Sequence, residues 1–298
     1  MFRVLYSKEL MAASRNMKTP VFVFLLNAIL AFLAIFSYYL DFMSQSKLGQ
    51  TAKGIQILKI YTFLCLVIFT IVIITMLVLT IHCVLDERRN HSLDLIMAAG
   101  VSPWNYILSK LIARVVIVML VALSSAPILG IVFFVGGVSV ANLVTMYLTL
   151  FVTAFFVGSI GIFCSTYCKG SVTSTICAFF IISFFIVGTL MIVSMGYLYK
   201  KAGMGFTIDD MSTQIPIGKI IYVLLLNPLY TLLQLFRKQL GTMNELLQYI
   251  KEYNENVVIF RYWIVNSCIV QFIVSAIFIW LSVIHIKHRK NSKRAVFK

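Results

Sequence analysis

Acidic residues are scarce in this chain, 10 Asp and Glu among 298 residues against 25 Lys and Arg. None of the ten lies deep in an apolar run; Asp41 and Asp86 stand at run ends. Transporters driven by an ion or proton gradient usually place an ionisable group within the bilayer to bind and release the coupling ion. That gap points to another source of energy. No G-x-x-x-x-G-K-[ST] loop occurs, which excludes ATP hydrolysis by the chain itself through a P-loop. H-E-x-x-H and G-x-S-x-G are also missing, and Gly158-Ser159-Ile160-Gly161 has the wrong spacing for the latter. The six cysteines form no disulfide framework or metal spacing, and Cys65, Cys83, Cys164, Cys177 and Cys268 read as small fillers in or beside apolar runs. Cys164 with Cys168, and His285 with His288, are pairs, short of the roughly four ligands of a closed site. No catalytic residue, metal or cofactor is therefore expected in this chain, and an intramembrane enzyme has nothing to work with.

What remains is apolar. The composition is 61% hydrophobic and 12% charged, with a mean hydropathy of +0.97, which implies a multi-spanning membrane protein. Apolar runs at residues 20–40, 60–84, 111–135, 138–163, 172–198 and 264–286 are each about the 20 residues that a bilayer core requires. Lipid leaves unpaired backbone groups so costly that each run is expected as a helix. The fold class is thus all-α, one membrane domain of six transmembrane helices over residues 20–286. Pro127 is expected to kink the third span, and Gly136-Gly137 to turn tightly into the fourth. Ala154, Gly158, Gly161 and Ser165 line one face of the fourth span, a surface for close packing.

The flanking segments are polar. Residues 1–19 place Phe2, Tyr6, Leu10, Ala13 and Met17 opposite Arg3, Ser7, Ser14 and Lys18, the pattern of an interfacial helix. No small-x-small cleavage site follows the first apolar run, so the N-terminus is expected to be retained. Residues 41–56 read as a short polar loop, 200–261 as a long extracellular excursion, and 287–298 as a basic tail. Within the excursion, residues 220–236 are apolar but broken at Asn227-Pro228, and neither half can cross a bilayer. A re-entrant or surface-lying hairpin is expected there, and a short amphipathic helix at 243–253.

Charge orients the spans. The two termini, the segment after the second span and the Lys169 loop hold 15 of the 25 Lys and Arg, with only Glu9, Asp86, Glu87 and Asp94 as acids. By the positive-inside rule this side is cytoplasmic, for a multi-pass protein of the plasma membrane with both termini inside. The formal charge of +15 is then explained by orientation, and nucleic-acid binding is not needed. Lys110 and Arg114, in the first turns of the third span, are expected to snorkel to the interface.

The segment at 86–110 stands out. Ser92 is placed to cap a helix from Leu93 onward, Gly100 to end it, and Ser102-Pro103 to start the next. Leu93, Ile96 and Met97 share a face, with Asp94 on another. A short amphipathic helix held between two spans is a knob that something outside the membrane can grip. A helix merely lying on lipid has the same pattern.

Here the chain resembles the type-2 membrane subunits of ATP-binding-cassette transporters. The likeness is carried by Asp86-Glu87-Arg88-Arg89, Ser92, Leu93-Asp94-Leu95-Ile96, Gly100, Val101-Ser102-Pro103 and Lys110. It continues in the elbow-like Lys8-Glu9-Leu10 and Arg15-Asn16-Met17-Lys18-Thr19 and in the Asn-Pro break. The resemblance implies that residues 1–19 are an elbow helix and that 86–110 holds a coupling helix docking on an ABC ATPase subunit. Its contacts would be Glu87, Leu93, Asp94, Leu95, Ile96, Gly100, Ser102 and Pro103, with Lys169, Gly170 and Ser171 as a second contact. Two ATPase subunits would bind ATP and Mg, and a second permease subunit, identical or homologous, would complete the dimer. Membrane lipids are the remaining partner. Asn27 in the first span and Ser267, Gln271 and Ser275 at i, i+4, i+8 in the last either pack helices or line a cargo route, packing being favoured. Abundant Phe, Met and Leu suit a hydrophobic or amphipathic cargo, a peptide or drug-like molecule, which is expected to be exported. A channel or scaffold without an ATPase is the alternative.

Overall fold

The described parts of the apolar runs lie on helices, the third run being broken at Ser124-Ser125, and the described residues contain no strand. The structure is a computed structural model that describes residues 2–14, 18–45, 53–90, 92–135, 140–203, 218–240 and 262–296. The helices are α1 (Phe2–Ser14), α2 (Lys18–Gln45), α3 (Lys53–Arg89), α4 (Ser92–Ala98), α5 (Pro103–Leu123), α6 (Ala126–Val135), α7 (Val140–Tyr167), α8 (Ser171–Ser183), α9 (Thr189–Gly203), α10 (Pro228–Leu240) and α11 (Trp263–Val296). A π-turn, Phe184–Gly188, joins α8 to α9, and a 3-10 helix, Gly218–Leu226, precedes α10. Among the described residues, six stretches are long and apolar enough to cross a membrane: Pro20–Tyr39, Ile60–Arg89, Pro103–Leu123, Val140–Tyr167, Ser171–Tyr199 and Trp263–His288. The protein is an all-α, multi-pass membrane protein.

Several boundaries differ from those read off the sequence. The polar loop expected at 41–56 is shorter, because α2 runs on to Gln45 and α3 starts at Lys53; a formed helix adds further turns at little cost. The helix that carries the third apolar run begins at Pro103, where the Ser102-Pro103 signal puts it, so it extends ahead of residue 111; the charges of its first turns are neutralised inside the protein. It breaks at Ser124-Ser125, just ahead of Pro127, and resumes as α6. The Gly136-Gly137 turn and the helix expected at 243–253 lie outside the described residues.

The chain divides into two compact units, Met1–Ala178 with Ser275–Lys298, and Phe179–Val274. In the first, α3 and α7 are pressed together through glycine. A Cβ at Gly158 would strike Met76 Cε and stand 2.8 Å from Leu111 Cδ1, and one at Gly161 would strike Thr80 Oγ1 and stand 2.9 Å from Thr80 Cβ. One turn on, Ser165 Oγ accepts from the backbone N–H groups of Val84 (3.1 Å) and Leu85 (3.2 Å) in α3. Asn27 Nδ2 in α2 donates to Ser124 Oγ at 2.8 Å, at the break after α5.

In the second unit Asn227 is the hub. Its Oδ1 accepts from the N–H of Leu229 (2.9 Å) and Tyr230 (3.1 Å), capping α10. Its Nδ2 donates to Ile186 O and to Thr189 Oγ1, each at 2.8 Å. The Asn-Pro break is therefore a helix start docked on the π-turn of the fifth span. Ser267 donates to Leu225 O at 2.7 Å, and Gln271 Nε2 donates to Thr231 Oγ1 and Ser267 Oγ, each at 3.1 Å. Ile221, Leu224, Tyr230, Val193 and Trp263 close over this network as an apolar cluster.

Candidate coupling site

α4 forms where Ser92, Gly100 and Ser102 mark its surroundings, though Ser92 behaves differently from expectation. The helix already includes Ser92, whose hydroxyl donates to Glu87 O at 3.2 Å instead of accepting from the helix N-terminus. Gly100 ends the helix in the left-handed region, φ 81°, which glycine adopts without strain. Ser102 Oγ accepts from Asn105 N–H at 3.3 Å and Pro103 opens α5. Leu93, Met97 and Val101 are buried, while Asp94 and Ile96 are half-buried. Leu95 points away from this anchor and is 72% exposed. Trp104, a position sequence reasoning passed over, is 44% exposed at the start of α5.

Below α4 lies a cluster of charges. Lys110 Nζ, on a side chain 2% exposed, donates to Glu9 Oε1 at 2.9 Å and to Glu87 Oε1 at 2.7 Å. Arg114 Nη2 donates to Glu9 Oε2 at 2.9 Å, and Tyr106 OH donates to Glu87 Oε2 at 2.6 Å. Tyr106, Lys110 and Arg114 recur every four residues, so they stand in a column on one face of α5. Each carboxylate sits between two rungs of that column: Glu87 between Tyr106 and Lys110, Glu9 between Lys110 and Arg114. The Lys110 ammonium also lies 5.4 Å from the centroid of the Tyr106 ring. Burial alone would raise the Glu9 carboxyl above its usual range, but Lys110, then Arg114 and Lys8, outweigh it and hold it below.

This arrangement corrects one expectation. Lys110 does not reach water by snorkelling, because two carboxylates compensate it within the protein, whereas Arg114 keeps 21% exposure. Glu87, which the resemblance implies as an ATPase contact, lies in the last turn of α3 with its carboxylate bonded to Lys110 and Tyr106 and 21% of its side chain exposed. The partners Glu9, Tyr106 and Arg114 were missed. The available signal was the four-residue spacing of Tyr106, Lys110 and Arg114 at the entry to a span in a chain with so few acids.

A neighbouring arginine ties in the second expected contact. Arg88 Nη2 donates to Thr166 O at 2.7 Å and Nη1 to Cys168 O at 3.0 Å, placing a cation on the last carbonyls of α7. Ser171 Oγ and His82 Nδ1 are 3.2 Å apart, while Lys169 is exposed and Gly170 half-buried. The 168–171 turn is thereby held to the end of α3 that leads into α4. Asn27, Ser267 and Gln271 take no part in this site; they are engaged in the helix–helix bonds described above, and Ser275 is buried in α11.

The family model described as "ABC-2 family transporter protein" matches residues 46–284, a stretch that includes α4 and all of the charge cluster except Glu9. No curated protein matches the chain.

Proposed function

Since this chain belongs to the ABC-2 family of transporter proteins, and is the membrane component of an ABC transporter that works with an ABC ATPase, we propose that α4 is the helix on which that ATPase docks. The observation that carries this reading is the exposed Leu95 on a short helix whose other face is buried and whose flanks are clasped by Glu87, Tyr106 and Lys110. A side chain presented on so braced a support transmits force, where one on a loose loop would absorb it. Leu95 is the central contact, with Asp94, Ile96, Gly100, Ser102 and Pro103 around it. Lys169, Gly170 and Ser171 form a second contact, joined to the first through Arg88. Leu93 supports the helix from below.

Two ATPase subunits carry ATP and Mg and perform the hydrolysis, and two permease subunits form the route. The termini and α4 are cytoplasmic, in keeping with the basic charge there. The cargo is a hydrophobic or amphipathic compound, such as a peptide or drug-like molecule, moved outward; it is the apolar composition of the spans that favours this class. The test is purification of the tagged chain from its native membrane in mild detergent. A stoichiometric ATPase that is lost with Leu95→Arg supports the reading. A stable preparation without any ATPase would overturn it in favour of a channel or scaffold. Net inward movement of a hydrophilic solute into the cytoplasm would overturn the cargo assignment alone.

A further inference from the structure

The charge cluster joins three elements that have no need of one another for crossing a membrane. Glu87 belongs to the last turn of α3 and Tyr106 and Lys110 to the first two turns of α5, so their bonds close the neck of the segment that carries α4. Glu9 belongs to α1, which lies outside the apolar spans, and it is bonded to the same Lys110 and to Arg114 one turn further. If α1 were only a float on the lipid surface, its lone acid would do best in water. Instead its carboxylate keeps 16% exposure and Lys110 only 2%, and both give up solvation to stay joined. An ion pair so placed is directional, because each carboxylate oxygen has its own cation and the helix bearing those cations cannot turn without carrying both.

We propose that α1 is a moving part of the transport cycle, driven from α4 through Lys110, with Glu9 as its grip. The proposal rests on the reading of α4 as the ATPase dock. When the ATPase displaces α4, the clasped neck moves as one piece, and Lys110 and Arg114 carry Glu9 and therefore α1 with them. Lys110 and Glu9 are positioning residues here; neither touches cargo or nucleotide. The surface helix thus follows the ATPase stroke while the network keeps its formal charges balanced, two carboxylates against one ammonium and one guanidinium.

The test is hydrogen exchange followed by mass spectrometry on the whole complex in lipid nanodiscs, nucleotide-free and after trapping with ATP and vanadate. In the wild type, peptides covering 2–14 and 92–98 should change protection together. With Glu9→Gln, which removes the grip but leaves Glu87 on Lys110, the 92–98 change should persist and the 2–14 change should be lost. Lys110→Arg, which keeps the charge, should retain both. The proposal is overturned if 2–14 stays constant in the wild type while 92–98 responds, or if Glu9→Gln responds as the wild type does. In either case the docking role of α4 stands. Absence of any response at 92–98 in a complex that contains the ATPase removes the docking reading and this proposal with it.

Discussion

Two regions of the molecule fasten helices with buried polar groups, and they use opposite chemistry. Around Lys110 the groups are ions, and the carboxylates keep some exposure, 16% for Glu9 and 21% for Glu87. Around Asn227 they are amides and hydroxyls, with Asn227, Thr231, Ser267 and Gln271 all at 1% or less. The division follows solvation. A carboxylate near a helix end can retain part of its hydration and still reach a cation, whereas a fully enclosed ion would lose several kcal/mol unless every lone pair were matched. Neutral groups pay less for enclosure and are satisfied by each other. The ionic fastening therefore responds to its surroundings, and the neutral one is fixed.

The largest effect should come from Lys110→Met. It leaves Glu87 with only Tyr106 and Glu9 with only Arg114, at a cost of about 3 kcal/mol, the low end of the range for broken buried pairs because both acids are partly exposed. A fall in the thermal unfolding midpoint of the reconstituted protein measures it. Asn227→Ala should cost about 2 kcal/mol by removing the α10 cap and orphaning partners in the fifth span, read by the same melt. A loss larger than that of Lys110→Met would invert the comparison.

Acidification separates the two regions without mutation. The Glu9 pKa is lowered in the folded state, so its share of stability is complete above the ordinary carboxylate range and fades as the pH falls through the lowered value. The wild-type melting midpoint should drop on that acid limb and the Glu9→Gln profile should be flatter there. Asn227→Ala should shift the whole profile down without changing its shape. The smallest effect on stability belongs to Leu95→Arg, within about 0.5 kcal/mol because Leu95 is exposed, although the same change is expected to release the ATPase.

The sequence announces local events well and distant ones poorly. Gly100, Ser102 and Pro103 mark the end of α4 and the start of α5 by backbone rules that act within a few residues, and the structure has both boundaries there. The inward face of α4 was visible from spacing, as Leu93 and Met97 show. The Lys110–Glu9 bond spans 101 positions, and no periodicity encodes a partner that far away. The bonds of Glu87 to Lys110 and Tyr106 were hidden for the same reason, since these partners stand 23 and 19 positions further along the chain. The Ser267 and Gln271 stripe was legible as a pattern, while its partner Thr231 lies 36 positions before Ser267, beyond the reach of any periodicity.

The glycine seam between α3 and α7 has a further consequence. With Met76 and Thr80 seated where any side chain at Gly158 or Gly161 would be, and Ser165 bonded to α3 backbone, these two helices have no slack along their shared length. Registry between them is locked like the teeth of a closed zip. Whatever alternation the transport cycle requires must then carry this pair as one body, so a displacement of the clasped neck at the end of α3 reaches α7 as well.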